Sequence, residues 1–541
     1  ATYARSYYGL NGIGLANKNL TGANFANKNL NGANFTSANI SGANFTSAYL
    51  QNTNFSSANL SGARFTLADV TGANFADSDL TLAQLYSTAN YANNYYGFGG
   101  IGLARLNLSG ANFANKNLNS ANFTSANVTG AKFTGAYLQY TNFSSATLTG
   151  ANFTGADVTS ANFAGSNVTP TQLYSTASYA NGNLYGIGLA NTDLSGANFA
   201  NKNLSNANFS SATLNGAVFT GASIEYAQFA GSDLTLAQLY STGSYANGSL
   251  SGIGMPNMDL SGANFANKSL AWADLSAAKL SNADLTNADF WAAKLTDTDF
   301  TGAEIRGASF YSFVPPFCYP CGDGYIVPGI TLPQLSSTAS YQGGDLSGIN
   351  FGFNDLAGGN FAGQNLTDAY FSAATLTGAD FQNANLTNAY FDSATLTDAD
   401  FTGAEVRGAG FNRDRYSNTG TGISLAQLYS TASYQAHDLT GISLAASDLA
   451  GGNFAEQNLT NAYFGDATLT SADFHDANLN SALFYNATLT GANLTQANLT
   501  SATLSNANLT NAVLQGANLS GANVDYANFD GSDLTPAQLY S

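Results

Sequence analysis

The only two cysteines of the chain, Cys318 and Cys321, form a CxxC motif inside the irregular stretch FYSFVPPFCYPCGDGYIVPGI. A redox centre of the thioredoxin type would need a βαβ setting that the surrounding sequence does not provide. A zinc site would need two further ligands, and no His or other Cys lies near in the sequence. The motif therefore favours a small structural disulfide that closes a loop rich in proline and aromatic residues, with free thiols or a metal site as alternatives.

Other residues capable of chemistry are scattered. His437 and His475 are far apart, and we expect both to be solvated. The carboxylates of Asp274, Asp284 and Asp289 recur along the repeat and could collect calcium, although a regular spacing on an exposed face also suits a solvated surface. No arrangement of Ser, His and Asp suggests a catalytic triad. We therefore predict neither an enzyme nor a cofactor, with calcium as the alternative.

The elements that carry these residues follow a period of five. From Leu10 to Leu85 an apolar residue occupies every fifth position, and Ala usually stands two places before it, as at Ala23 and Ala33. This period fits neither an α-helix nor an ordinary β-strand. Self-similarity that continues along the whole chain is typical of a solenoid, whose short units bury their apolar sides by stacking on their neighbours.

The repeated unit A-[DN]-[LF]-x-x resembles the pentapeptide-repeat family, and the resemblance covers nearly the whole chain. It implies an all-β fold, a right-handed four-sided parallel β-helix with about two dozen coils of about twenty residues each. In that fold the alternation of Phe and Leu implies two opposite Phe columns, with Leu or Ile on the remaining sides and Ala pointing inward. The expected columns contain Phe25, Phe45 and Phe65 on one side and Phe35, Phe55 and Phe75 on the other.

A second motif, QLYSTASY and its variants, interrupts the period five times. In the variant TPTQLYS, Thr and Pro170 predict a single helical turn that protrudes at a corner. We expect the tyrosine pair, such as Tyr174 and Tyr179, to cover the seam, with a lateral contact as the alternative. The predicted architecture is one continuous solenoid over residues 1–541. It contains six blocks, residues 1–87, 88–175, 176–241, 242–337 with the cysteine-containing insertion 311–329, 338–430 and 431–541.

The two ends of the sequence correspond to the two halves of one internal segment. Residues 79–103 read DLTLAQLYSTANYANNYYGFGGIGL, in which Ala89 corresponds to Ala1, and the final residues repeat its beginning. We therefore expect a head-to-tail joint between copies of the chain through uncapped terminal coils. Its predicted interface consists of Tyr3, Tyr7, Tyr8, Leu10 and Ile13 from the first coil and Leu534, Leu539 and Tyr540 from the last.

The composition restricts the partners. Charged residues make up only 9% of the chain, and the net charge is −18. Residues 1–250 carry seven acidic and eight basic side chains, whereas residues 251–541 carry twenty-six acidic and seven basic ones. The absence of a basic patch argues against nucleic-acid binding, and no apolar run is long enough for membrane insertion. The predicted partner is the chain itself.

Three classes of function remain from these patterns. The preferred one is a structural subunit of an extracellular filament or surface assembly. The resemblance also implies the alternative of an acidic, DNA-mimicking protein that binds gyrase, and regular Thr and Asn ladders would suit a surface adhesin or an ice- or carbohydrate-binding protein. The AQLYSTASY segments resemble parts of exported surface proteins of biofilm bacteria, which together with the neutral polar composition predicts an extracellular or cell-surface location.

Overall fold

The structure is a computed structural model that describes residues 9–93, 97–314, 325–326, 328–414 and 420–540. The chain divides into two compact units, Ala1–Pro256 and Asn257–Ser541. Both units are built from the same kind of coil. Continuity of the solenoid from one unit to the next stays a prediction.

Within each unit, residues twenty positions apart pair in parallel register, as Asn34 does with Asn54. The backbone N–H of Phe35 donates to the carbonyl of Asn54 over 2.7 Å, and the N–H of Asn54 donates to the carbonyl of Ala33 over 2.9 Å. Each pentapeptide thus contributes one bridging residue to a ladder that runs from coil to coil. Such isolated bridges are too short to be counted as regular strands, although the pairing is that of a parallel sheet.

The corners between bridges explain why small polar residues fill the repeat. One corner residue adopts the left-handed conformation, with φ of 55° at Ser37, 57° at Asn27 and 65° at Gly42. Gly, Asn and Asp tolerate this conformation better than bulky residues do. The Asn of each repeat stabilises the corner through its side chain, because the Oδ1 atom of Asn34 accepts from the N–H of Thr36 over 2.9 Å.

The interior is packed as the resemblance implied. The rings of Phe25 and Phe45 stack with centroids 5.1 Å apart, and those of Phe35 and Phe55 stack at the same distance. The two columns also meet edge to face, since Phe25 and Phe35 lie 5.6 Å apart at 76°. Ala33 is fully buried beside them. The predicted Phe columns and inward alanines are therefore confirmed.

The fold departs from a purely β architecture at the interruptions. Each contains two short helices rather than the single turn that we expected, because a second Thr, such as Thr88, begins a further helix immediately after the first. The helices are α1 Leu82–Tyr86, α2 Ala89–Ala92, α3 Pro170–Tyr174, α4 Ala177–Ala180, α5 Leu236–Tyr240, α6 Gly243–Ala246, α7 Leu332–Ser336, α8 Ala339–Gln342, α9 Leu425–Ser430, α10 Ala432–Gln435 and α11 Pro536–Leu539.

Two short paired strands lie near the two ends of the predicted insertion 311–329. Strand β1, Phe313–Val314, pairs antiparallel with strand β2, Tyr325–Ile326. Cys318 and Cys321 fall between these strands and lie outside the described residues, so their pairing stays a prediction. The coil ladder continues across the insertion, because Ser309 pairs with Asn350.

Candidate functional site

The interruptions are the most elaborate repeated feature of the chain. We call each N-cap residue with its two following helices a helical junction, and the five junctions are residues 81–92, 169–180, 235–246, 331–342 and 424–435. Thr81 begins α1 with a capping box, in which Gln84 accepts from the N–H of Thr81 over 2.8 Å. The hydroxyl of Thr88 then caps α2 and donates to the carbonyl of Leu85 over 2.7 Å. The predicted N-cap threonine is confirmed.

The junction glutamine replaces a missing part of the backbone ladder. In an ordinary coil the carbonyl of Ala33 accepts from the N–H of a residue 21 positions later. At the first junction the side-chain amide of Gln84 takes this role by donating to the carbonyl of Ala63 over 2.9 Å, and it also donates to the carbonyl of Leu60 over 2.7 Å. The equivalent pair of bonds recurs at Gln172, Gln238, Gln334, Gln427 and Gln538.

A second side chain replaces a backbone acceptor of the ladder at several of these junctions. The N–H of Leu148 donates to the Oδ1 atom of Asn167 over 2.6 Å, where an ordinary coil would offer a backbone carbonyl. The hydroxyl of Thr421 accepts from the N–H of Leu396 in the same way over 2.8 Å. Asp79, Asp233 and Asp533 provide the acceptor at the equivalent positions. Sequence reasoning missed both substitutions, although the recurrence of Gln at one helical position was a signal for the first.

An acidic residue anchors the second helix to the preceding coil. The buried Ser178 hydroxyl accepts from the N–H of Val158 over 2.8 Å and donates to Asp157 over 3.0 Å. Burial raises the pKa of Asp157, but hydrogen bonds from Thr159, Gln139 and Ser178 outweigh burial and hold the pKa below its ordinary value. Asp69, Glu304 and Glu405 accept hydrogen bonds from the corresponding residues of three other junctions.

The junction tyrosines extend across the seam to the next coil. The rings of Tyr174 and Tyr179 lie 4.7 Å apart. The Tyr174 hydroxyl accepts from the N–H of Asn198 over 2.6 Å, and the Tyr179 hydroxyl donates to the carbonyl of the same residue over 2.8 Å. The ammonium group of Lys202 lies over the ring of Tyr179 at 4.1 Å. The prediction that the pair covers the seam is confirmed.

The last helix, α11, docks like the first helix of a junction, but its tip is uncovered. Gln538 donates to the carbonyls of Leu514 over 2.7 Å and Ala517 over 3.1 Å. Leu539 is nevertheless 53% exposed and Tyr540 is 90% exposed, whereas the internal counterpart Leu85 is 1% exposed.

The remaining predicted interface residues divide between the two terminal coils. Leu534 in the last coil is half-buried, as are Leu10 and Ile13 in the first. Their internal counterparts Leu80, Phe98 and Ile101 are buried. Tyr3, Tyr7 and Tyr8 lie outside the described residues, so their part in a joint stays a prediction.

The three carboxylates that offered calcium as an alternative to a solvated surface do not form a single stack. Residues twenty apart share a column, so Asp274, Asp284 and Asp289 lie in three different columns. Asp274 faces Lys294, whose ammonium group is 3.5 Å from its carboxylate. Within the parts of the chain that the structure describes, no group of three or more His, Cys, Asp or Glu residues is placed to hold a metal ion.

The two histidines differ from each other. The Nδ1 atom of His475 lies 3.0 Å from the carboxylate of Asp473, and this hydrogen bond raises the pKa of His475. We had expected His475 to be simply solvated, but it is paired with Asp473. His437 occupies a corner with φ of 57°. In the described ranges no helix is long and apolar enough to cross a membrane.

Comparison with known families tests the resemblance to pentapeptide-repeat proteins. A model described as pentapeptide repeats matches residues 19–85, 103–165, 183–239, 257–312, 345–413 and 438–535. The chain belongs to the pentapeptide repeat family. Membership implies a right-handed quadrilateral β-helix. Pentapeptide repeat proteins are generally structural or binding proteins rather than enzymes.

Solved structures of other pentapeptide repeat proteins align with parts of the chain. A protein of the Arabidopsis thaliana thylakoid lumen is 41% identical over 17% of this chain and 63% of its own length, with a TM-score of 0.16. HetL, a protein involved in heterocyst differentiation regulation in the cyanobacterium Nostoc sp. strain PCC 7120, is 20% identical over 54% of this chain and 96% of its own, with a TM-score of 0.16. The fluoroquinolone resistance protein QnrB1 is 14% identical over 53% and 96%, with a TM-score of 0.13. No curated protein matches the chain significantly.

Proposed function

We propose that this pentapeptide repeat protein is a structural subunit of an extracellular filament or surface assembly, in which copies join head to tail. The observation that carries the proposal is the docking of α11, in which Gln538 makes the same two hydrogen bonds as the glutamine of an internal junction. At an internal junction the next coil packs on this helix. We propose that a second copy of the chain supplies that coil for α11.

The first coil carries the surface that such a joint requires. At the first internal junction the Tyr86 hydroxyl accepts from the N–H of Asn112 over 2.7 Å, and Lys116 lies over the ring of Tyr91 at 4.7 Å. The sequence NFANK, which supplies Asn112 and Lys116, recurs at residues 24–28. Asn24 and Lys28 are both exposed. The joint would therefore place Tyr540 of one copy against Asn24 of the next.

Burial and backbone pairing would stabilise this joint together. Covering a leucine side chain contributes about 1.5–3 kcal/mol. The terminal coils would also extend the parallel ladder from one copy to the next, which adds main-chain hydrogen bonds. Because the two contacting surfaces differ, the contact need not close on itself and can continue as an open fibre.

The experiment measures self-association of the purified chain by sedimentation velocity and negative-stain electron microscopy. We expect concentration-dependent end-to-end oligomers. The double variant Leu539→Asp, Tyr540→Asp should remain monomeric at every concentration at which the original chain associates. The matched control Leu483→Asp, Tyr485→Asp changes a leucine and a tyrosine that are 41% and 46% exposed within a block. It should associate like the original chain. A monodisperse original chain, or a double variant that still forms fibres, would contradict the joint.

The extracellular location is a separate part of the proposal. It is supported by a low content of charged residues, 9%, which leaves a surface dominated by Asn, Ser, Thr and Gly. Immunogold labelling of intact, unpermeabilised cells of the source organism tests it directly. Label on the outside of the cells is the expected result, and label that appears only after permeabilisation would overturn the assignment.

A further inference from the structure

An unusual group of aromatic side chains lies in the second unit. The only two tryptophans of the chain, Trp272 and Trp291, meet edge to face with centroids 5.5 Å apart. The indole of Trp291 donates to the carbonyl of Phe313 over 2.9 Å. Phe313 stacks on Phe353 at 4.7 Å, and Tyr311 meets Phe353 edge to face at 5.2 Å. These five residues are all partly exposed, and we call them the aromatic cluster.

A surface groove opens beside the aromatic cluster. Its lining consists of Trp291, Tyr311, Phe313, Asp289, Ser309 and Asn350. Backbone N–H groups hold the side-chain oxygen atoms of two of the polar residues in place. Asp289 accepts from the N–H of Trp291 over 3.0 Å, and Asn350 accepts from the N–H of Gly352 over 2.9 Å. Among the lining residues that the structure describes there is no Lys or Arg. The groove thus combines aromatic walls with a carboxylate, a hydroxyl and an amide.

Coil geometry alone does not account for these aromatic residues. Trp272 and Phe353 occupy left-handed corners, with φ of 64° and 63°, where most other corners carry Gly, Asn, Ser or Asp. Bulky side chains at such corners carry backbone strain, and strain of this kind concentrates at functional sites. Gly352 also makes room for the cluster, because a Cβ atom there would lie 2.7 Å from the ring of Tyr311.

The aromatic surface continues beyond the groove. Asp289, Ser309 and Asn350 belong to one column, in which Tyr370 and Tyr390 follow as the next two bridging residues. The rings of Tyr370 and Tyr390 stack at 4.7 Å with 11° between their planes, and they are 43% and 39% exposed. An outward aromatic track therefore leads from the groove across two further coils. Such a track suits an extended ligand better than a single small molecule.

We propose that the groove and the Tyr370–Tyr390 stack bind a neutral polysaccharide. Aromatic faces pack against the C–H faces of sugar rings, while convergent oxygen atoms accept hydrogen bonds from sugar hydroxyl groups. The carboxylate of Asp289, in a half of the chain with a large excess of acidic residues, disfavours anionic polymers such as nucleic acids. This site is independent of the terminal joint and needs no self-association.

The intrinsic tryptophan fluorescence reports on the site directly, because both tryptophans belong to the aromatic cluster. The full chain is titrated with cellohexaose, chitohexaose and maltohexaose, and with single-stranded DNA as a comparison. We expect a saturable spectral change with at least one of the sugars. Tyr311→Ala and the isosteric Asp289→Asn should each weaken that binding about tenfold, a clearly measurable change in Kd. The control Tyr137→Ala removes a more exposed tyrosine of the first unit and should leave binding unchanged.

Circular dichroism melting curves separate loss of binding from loss of folding. Asp289→Asn is expected to melt like the original chain, since an asparagine also accepts from the N–H of Trp291. The proposal is overturned if none of the three sugars gives a saturable change, or if only DNA does. It is equally overturned if folded Tyr311→Ala and Asp289→Asn both bind as tightly as the original chain.

Discussion

The side-chain amide of Gln84 donates a hydrogen bond of 2.7 Å to the carbonyl oxygen of Leu60, in the preceding coil. The same amide also donates to the carbonyl of Ala63, which loses its backbone donor when α1 replaces a bridging segment, whereas the carbonyl of Leu60 still accepts from the N–H of Ala63 as well. A helix can therefore be inserted without leaving broken ladder bonds at its edge. The helical junctions depend on this exchange of backbone for side-chain donors.

Replacing the junction glutamine should destabilise its junction. Gln172→Ala leaves the carbonyl of Ala151 without its donor and removes one of two donors from the carbonyl of Leu148, and we expect a cost of about 1–2 kcal/mol. Gln172→Glu should have a similar effect, because an ionised carboxylate cannot donate. Hydrogen exchange of the amides of α3 and α4 measures the local opening. Gln515→Ala, at an exposed position, is the control, and equal protection in all three variants would refute the assigned role.

The Phe columns predict how the core responds to substitution. Phe133 stacks between Phe113 and Phe153, with centroids 5.4 and 5.1 Å apart, and is fully buried. Phe133→Ala should cost about 3–5 kcal/mol through the cavity that it leaves. Phe133→Leu should cost clearly less, because near the end of the chain buried leucines such as Leu499 and Leu504 form the same core without Phe. Urea denaturation followed by circular dichroism compares the two. Equal losses would contradict this account of the core.

Much of the fold was predictable because each contact repeats at a constant separation. Once twenty residues make a coil, the sequence alone places Phe35 beside Phe55 and turns Ala33 inward. The caps of the helices were predictable for a similar reason, since Thr and Gln three residues apart specify a local structure. Local or strictly periodic features need no knowledge of the tertiary arrangement.

The features that sequence reasoning missed depend on the side of the coil that each residue occupies, or on segments that lack the five-residue period. Asp274 and Asp284 were expected to share a stack, but a separation of ten residues places them on different sides of a coil. The role of Gln84 follows from the carbonyl of Ala63, which the inserted helix leaves without a backbone donor. The aromatic cluster joins Trp291 to Phe353 across an insertion whose residues have no five-residue period.

The junction carboxylate of Asp157 makes the chain sensitive to acid. The folded-state pKa of Asp157 lies below its ordinary value of 3.8, so the ionised group contributes stability above that value and the contribution is lost as the pH falls through the folded-state pKa. Thermal unfolding between about pH 5 and about pH 2.5 should show a falling transition temperature. Asp157→Asn should flatten part of this dependence, whereas the exposed Asp398→Asn should not. An unchanged acid profile in Asp157→Asn would contradict the role of this carboxylate.

A corner that carries a bulky residue offers a stabilising substitution. Tyr140 adopts the left-handed conformation with φ of 58° and is 67% exposed, so little packing compensates for its backbone strain. Tyr140→Asn should stabilise the chain by about 1 kcal/mol, because asparagine tolerates this conformation better than tyrosine does. Tyr137→Asn is the matched control: Tyr137 is 57% exposed three residues away, but it is a bridging residue rather than a left-handed corner. Urea denaturation should therefore show a gain for Tyr140→Asn alone. A loss of stability at position 140, or an equal gain at position 137, would show that the corner conformation is not what limits stability there.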